Sequence, residues 1–405
     1  MAKHLLKWVR LCLLVGLSFG YAVAADSAEV RVLLYSGEEP VLVGPLGSVS
    51  EVRLASPREL YVQGQGRLRQ WSPSGKGPFR VGEKIVRGRI RVRARDGLIQ
   101  VLNRVELEDY VASTVGGEMM PSWPREALRA QAVAARTYVL HEAARRRHED
   151  WDVRSTTLSQ VYGGLTAESP ETRAAARATI NQVLTYQGEP ILAVFHSTAG
   201  GQTEAAGDVW GEDRPYLRVV EVDDEEDAPH TYWRRTIKRI DLEDVLEPIG
   251  LGVGRLNAIT VVARTRGGRV KRLEISGTSR SLVADRERLR RLVSALDLHS
   301  KLFEIREIEN GFAFVGSGHG HGVGMSQWGA RAMARRGDSY KRILETFYPG
   351  ARLESWRPKH VISAGTPQPF DLAAIHRSAK GSASVNTPLS IDDNLLINDV
   401  SGEAK

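Results

Sequence analysis

The chain has 405 residues, 42% of them hydrophobic and 26% charged, with a formal net charge of +7 and a single cysteine. That length can bury one large core or two ordinary ones, while a lone cysteine excludes an internal disulfide and a Cys-based zinc site. The mild positive excess suits an acidic partner; with no recognition motif for nucleic acid in the chain, none is expected.

The first thirty residues read MAKHLLKWVRLCLLVGLSFGYAVAADSAEV. Lys3, Lys7 and Arg10 form a basic head, Leu11 to Tyr21 an apolar run, and Ala22-Val23-Ala24 an A-x-A cleavage pattern. This predicts a signal peptide over 1–24 and not a membrane anchor, because a spanning helix needs about 20 apolar residues. Cys12 lies inside it, beside Arg10 and Leu11, which make a poor lipoprotein signal, so no stable membrane anchor is expected. Losing three basic residues and no acids would leave +4. The expectation is an exported protein, periplasmic, wall-associated or secreted, whose anionic partner is a wall polymer and not nucleic acid.

Residues 25–106 predict a strand-rich lobe. EVRVLLYS, RELYVQG, GRIRVRAR and LIQVLNRV alternate apolar with polar residues between glycine and serine breaks. A helix is predicted over 122–147, entered through Pro121 and Pro124 and capped by Ser122 or Trp123. Leu128, Ala132, Ala135 and Val139 share one face of it, and its alanines permit close packing. Glu118 stands just ahead of that predicted N-terminus, where the helix dipole would lower its pKa, whereas burial beside Met119, Met120 and Trp123 would raise it.

A second helix is predicted from Pro170 to Gln182, with Ser169 as cap, followed by a hairpin over VLTYQGEPILAVFHS. VDDEEDAP, 222–229, reads as a solvated acidic loop without calcium-ligand spacing. ITVVARTRGGRVKRLEISG predicts a hairpin turning at Gly267-Gly268, and DRERLRRLVSAL a short basic amphipathic helix. From about Gly365 the chain lacks periodicity and reads as disordered. The fold class is therefore α+β: a strand-rich lobe over 25–106, then a mixed helix-hairpin region over 107–355 around a cleft, with an insertion about 230–300 and a tail over 356–405.

Two further stretches suit ligand contact. FHSTAGGQTEAAGDVWG, 195–211, ends an apolar strand in small polar residues, including His196, Ser197 and Thr198. It lacks the G-x-S-x-G context of a serine nucleophile. GSGHGHGVGMSQWGARAMARRG, 316–337, is glycine-rich, and Ser326 or Gln327 then starts a helix that Gly337 can end. His319 and His321 form an H-x-H pair, which is half a zinc site with no third ligand visible.

Together these motifs resemble the SpoIID/LytB family. The match runs through E-M-x-x-S-W-P-x-E-A-L-x-A-Q-A-V-A-A-R-T-Y (Glu118 to Tyr138), S-Q-V-Y-G (Ser159 to Gly163) and H-S-T-x-G-G (His196 to Gly201). It continues through D-V-W-G (Asp208 to Gly211) and G-H-G-V-G-M-S-Q-W-G-A (Gly320 to Ala330). The resemblance implies a lytic transglycosylase acting on peptidoglycan glycan strands, with Glu118 as acid and base and a preference for glycan stripped of stem peptides. Its runner-up implication is a non-catalytic, peptidoglycan-binding enhancer of a cell-wall amidase. Candidate substrate contacts are His196, Ser197, Thr198, His321, Ser326, Gln327, Gln131, Arg136 and Tyr138. Two departures stand out. Met120 replaces the proline of the family's E-M-P, and Val153 to Ser159 holds neither Cys nor His where some members bind zinc, so no metal and no other cofactor is expected. One carboxyl suffices for such a reaction, since the nucleophile is a hydroxyl of the substrate itself, whereas a glycoside hydrolase needs two.

Overall fold

The computed structural model describes residues 28–356, apart from positions 76, 158, 224 and 226. The segment expected to be a signal peptide, with Cys12, and the tail beyond 356 lie outside the described residues. Among those described, no helix is long and apolar enough to cross a membrane.

Period-two burial builds the N-terminal sheets. In Arg89–Arg95, Ile90 and Val92 point into the core while the arginines between them face out. A five-stranded sheet orders Val153–Arg154, Glu29–Gly37, Leu98–Glu106, Arg89–Arg95 and Gln70–Trp71. A six-stranded sheet holds the other short strands from Val41–Pro45 to Lys84–Val86, all but Gln70–Trp71. The long antiparallel pair Glu29–Gly37 and Leu98–Glu106 returns the chain to its start and delivers it into helix α1, Leu107–Glu118.

Helix α1 is absent from the sequence reading. LEDYVASTVGGE carries β-branched residues and a glycine pair, a weak local signal. Tertiary burial overrides it: Tyr110, Val111 and Val115 are fully buried. The glycine pair has a packing reason. A Cβ on Gly116 would lie 1.8 Å from the Ala167 carbonyl oxygen, and one on Gly117 2.4 Å from that of Val161. Only glycine lets segment 161–167 lie against the last turn of α1.

Helix α2, Arg125–Arg145, starts three residues later than predicted. Neither Ser122 nor Trp123 caps it: Pro124 holds the cap position with no side-chain bond, Ser122 is exposed, and Trp123 packs on Trp328. Its burial is not confined to one face, for Ala127, Ala130, Ala132, Val133, Ala134 and Ala135 are all at 0% exposure. Small side chains let neighbours approach it from several sides, and it contacts α1, α3 (Pro170–Ala178), α7 (Gln327–Arg335) and α8 (Tyr340–Phe347).

Helix α3 has the predicted Ser169 cap, in a reciprocal capping box with Thr172. It stops before Gln182 because Gln182–Tyr186 is a strand paired with Arg352–Ser355. The expected hairpin after it is brief: Gln182–Tyr186 turns onto Glu189–Pro190, and Phe195–His196 instead pairs in parallel with Met325–Ser326. The short helix α4, Ala206–Trp210, follows.

A second cluster of buried hydrophobic side chains spans Trp233 to Phe314, including Leu242, Leu273, Leu292 and Phe314. It is built from α5 (Arg239–Leu246), the hairpin Leu256–Arg264 with Val270–Gly277, α6 (Arg286–Ala295) and the strands Phe303–Ile308 and Gly311–Gly316. The hairpin at Gly267-Gly268 and the basic helix stand where the sequence places them. The chain then re-enters the first core through Val323, Met325 and Phe347.

Candidate active site

Glu118 is the last residue of α1, not the forerunner of a helix start. The dipole there has its negative end, so it disfavours a carboxylate and acts with burial instead of against it. The residue is 2% exposed. Burial pushes its carboxyl up to about 7 from an ordinary 4.5, against the opposing pull of the Val161 and Gln327 hydrogen bonds.

Its two oxygens are held unequally. The Val161 backbone N–H donates to Oε1 at 2.7 Å. The Gln327 amide donates to the Glu118 carbonyl oxygen at 3.2 Å and reaches Oε2 only at 3.5 Å. A carbonyl only accepts, so the amide nitrogen must face it, which settles the Gln327 orientation. With Oε1 engaged as a firm acceptor, the acidic proton belongs on Oε2.

The S-Q-V-Y-G segment positions that Val161 N–H. Gln160 accepts from the Tyr110 hydroxyl at 2.8 Å, Tyr162 donates to Asn103 at 3.1 Å, and the Tyr110 and Tyr162 rings stack at 5.4 Å. The motif was visible in sequence; a main-chain donor within it was not, because any residue type supplies one.

The two distant loops join each other first. Phe195–His196 pairs with Met325–Ser326, the Trp328 N–H donates to the Ser197 carbonyl at 3.1 Å, and Ser326 caps α7 through the Gly329 N–H. Gln327, next in sequence, then reaches Glu118. Trp328 meets Trp123 edge-on at 4.9 Å, and Arg331 lies over the Trp328 ring.

Glu225 corrects the reading of the acidic segment as a solvated loop. It is 5% exposed, and its carboxylate accepts from the Ala199 and Gly200 N–H groups at 2.9 and 2.8 Å and from the Ser326 hydroxyl. It ties the H-S-T-A-G-G loop to the start of α7. Among many exposed acids, sequence offered no way to single it out.

The remaining candidates divide by what their polar atoms do. His321 accepts the Val323 N–H on Nδ1 and donates from Nε2 to the Phe195 carbonyl, both at 3.0 Å, so both ring nitrogens bind main chain. Burial takes its pKa down to about 3, leaving the ring neutral. Arg136 is fully buried, pairs with Glu108 at 2.6 Å and donates to the Ala176 and Gln182 carbonyls, knitting α1 to α3 and the following strand. Tyr138 is buried in the first core, which pushes its hydroxyl pKa up. Three others keep a different character. Gln131 is fully buried on α2, and neither amide atom has a partner among the described residues. His196 binds the Val323 carbonyl through Nδ1, and its buried Nε2 has no such partner; burial first, then nearby positive charge, holds the ring neutral. The Ser197 and Thr198 hydroxyls lie 3.3 Å apart in the same buried loop.

The glycine loop comes close to protein. A Cβ on Gly322, at φ +80°, would lie 2.2 Å from Cζ of the buried Arg269, whose guanidinium also donates to the Ala199 and Gln202 carbonyls. Two cavities flank these loops. One, of about 490 Å³, is lined by Gly200, Gly201, Glu225 and Ser317. The other, of about 670 Å³, is lined by His230, His299, His319 and His321. Glu118 lines neither.

Fold and site thus describe an α+β protein with one buried, proton-retaining acid at the junction of three sequence motifs. Comparison with known proteins agrees with that grouping. Residues 95–186 match the family described as Stage II sporulation protein, and residues 221–324 match a domain of unknown function (DUF8618). Stage II sporulation protein D of Bacillus amyloliquefaciens is 32% identical over 265 residues, covering 62% of this chain and 74% of that protein. An uncharacterized protein of Brachyspira hyodysenteriae is 33% identical over 251 residues, 62% of this chain and 67% of that protein. The Amidase enhancer of Bacillus subtilis is 30% identical over 290 residues, 60% of this chain but only 40% of that protein. The chain belongs to the SpoIID/LytB family.

Proposed function

We propose that this is an exported protein of the bacterial cell wall, a lytic transglycosylase that cuts peptidoglycan glycan strands. The observation that carries the reading is Glu118: a buried carboxyl whose pKa is raised to about 7, oriented by a main-chain donor and by Gln327. An acid of that pKa holds its proton near neutrality and can also return as a base. In the reaction, the Oε2 proton passes to the glycosidic oxygen as the bond from that oxygen to C1 of N-acetylmuramic acid breaks. The resulting carboxylate takes the proton of the C6 hydroxyl on the same sugar, and that oxygen bonds to C1, closing a 1,6-anhydro ring. Atoms and protons balance without water, and the nucleophile is already tethered, which supplies much of the rate. Gln327, Gln131, His196, Ser197 and Thr198 are the polar groups best suited to contact substrate. Arg136, Tyr138, Ser326 and His321 serve to hold the scaffold.

The test is digestion of purified glycan strands, intact and denuded of stem peptides, by wild type and Glu118→Gln. Anhydro-muramic ends from the wild type and none from the variant are expected; equal product from both would sink the reading.

A second reading has its own support: Glu118 is nearly inaccessible and lines neither cavity, and one relative is named an amidase enhancer. In it the protein presents the wall to an amidase and cuts nothing. A gain in amidase rate that survives Glu118→Gln, without anhydro ends, would favour it.

A further inference from the structure

Three histidines outside the Glu118 site meet at one point. His230 follows the acidic segment and sits at φ +64°, His299 lies just beyond α6, and His319 belongs to the glycine loop. One ring nitrogen from each lies within 4.8 Å of the other two. Ring centroids are 3.9 Å apart for His230 and His299, 5.0 Å for His230 and His319, and 5.2 Å for His299 and His319.

The main chain holds this triangle. The Gly318 N–H donates to the His230 carbonyl at 3.0 Å, and the Gly320 N–H donates to the His299 carbonyl at 2.9 Å. The two neighbours of His319 therefore each grip one of the other two histidines. His319 in turn exchanges both backbone hydrogen bonds with Thr198. A non-glycine residue at positive φ, as at His230, is uncommon and clusters at functional sites.

We propose that His230, His299 and His319 form a Zn²⁺ site. Neutral imidazoles are good zinc ligands, and three protein ligands with an open fourth position is the arrangement of reactive zinc sites, not of closed structural ones. Zn–N distances of about 2.0–2.1 Å place ligand nitrogens roughly 3.3 Å apart, so the three nitrogens, within 4.8 Å of one another, would draw together on coordination. All three rings line the cavity of about 670 Å³, which gives the fourth position access to water or a ligand. Lysines and arginines outnumber aspartates six to three around that cavity, so the open position favours hydroxide or a carboxylate-type anion. The H-x-H pair of the sequence thus divides: His319 is a ligand, whereas His321 has both nitrogens on main chain. This site lies apart from Val153 to Ser159, where the family resemblance would have placed a metal.

The test uses the full chain, stripped of metal with a chelator and titrated calorimetrically with ZnCl₂. One equivalent is expected to bind. Co²⁺ in its place should give the visible absorption of a tetrahedral N-ligand site. His230→Gln and His299→Gln, both at half-buried positions, are each expected to weaken binding at least about a hundredfold. The exposed His148→Gln should leave it unchanged. Circular dichroism of each variant without metal establishes that the fold is intact. Absence of stoichiometric binding by the folded wild type, or binding that survives both cluster variants, would overturn the proposal.

Discussion

Glu118→Gln should make the protein more stable at alkaline pH. The native carboxyl has a pKa of about 7, raised from 4.5 by burial. Between those values the folded state keeps a proton that the unfolded chain has released, so stability falls as pH rises. The sign follows from the elevated native pKa: the contribution is intact below pH 4.5 and is lost by the time the pH has passed 7. The span of about 2.5 units, at 1.36 kcal/mol each, gives about 3 kcal/mol. Glutamine has nearly the same shape, can still accept the Val161 N–H and does not titrate. Urea unfolding of wild type and variant at pH 4 and pH 8 isolates the effect, since all other titrating groups cancel in the difference. The variant-minus-wild-type stability should be about 3 kcal/mol more favourable at pH 8 than at pH 4. A difference independent of pH, or one of the opposite sign, would refute the placement of this acid in a desolvated site. The result does not depend on whether the protein cuts glycan.

Gln327→Ala removes the amide that holds the Glu118 main chain and weakly opposes the rise of its pKa. If glycan is cut, kcat should fall about tenfold or more through misplacement of the acid, with the alkaline limb of the pH–rate profile moving to higher pH. An unchanged limb would count against the contact. Glu225→Ala removes the acceptor of the buried Ala199 N–H and the part-buried Gly200 N–H, and leaves the Ser326 hydroxyl only the Ser197 carbonyl at 3.3 Å. It should cost about 3 kcal/mol in denaturant unfolding, and Glu225→Gln clearly less. A loss under 1 kcal/mol would return Glu225 to the class of surface acids.

Local sequence determined much of this protein. The strand-rich lobe, the Ser169-capped helix, the hairpin at Gly267-Gly268 and the basic helix after it all follow from nearest-neighbour chemistry: alternation, caps and turn residues. The motif set, too, was enough to place the chain in its family. What sequence misread were features whose cause lies far along the chain. Helix α1 exists because Tyr110, Val111 and Val115 are buried and segment 161–167 packs on its glycine pair, so Glu118 ends a helix and does not precede one. Glu225 differs from the exposed Asp223 and Asp227 because the Ala199–Gly200 turn and Ser326 fold over it. His230 and His299 carry no local signal that joins them to His319; main-chain bonds from Gly318 and Gly320 do. Periodicity and capping act over a few residues and are written in the chain. Burial, the direction of a helix dipole at a given side chain and the meeting of distant imidazoles depend on contacts that exist only after folding.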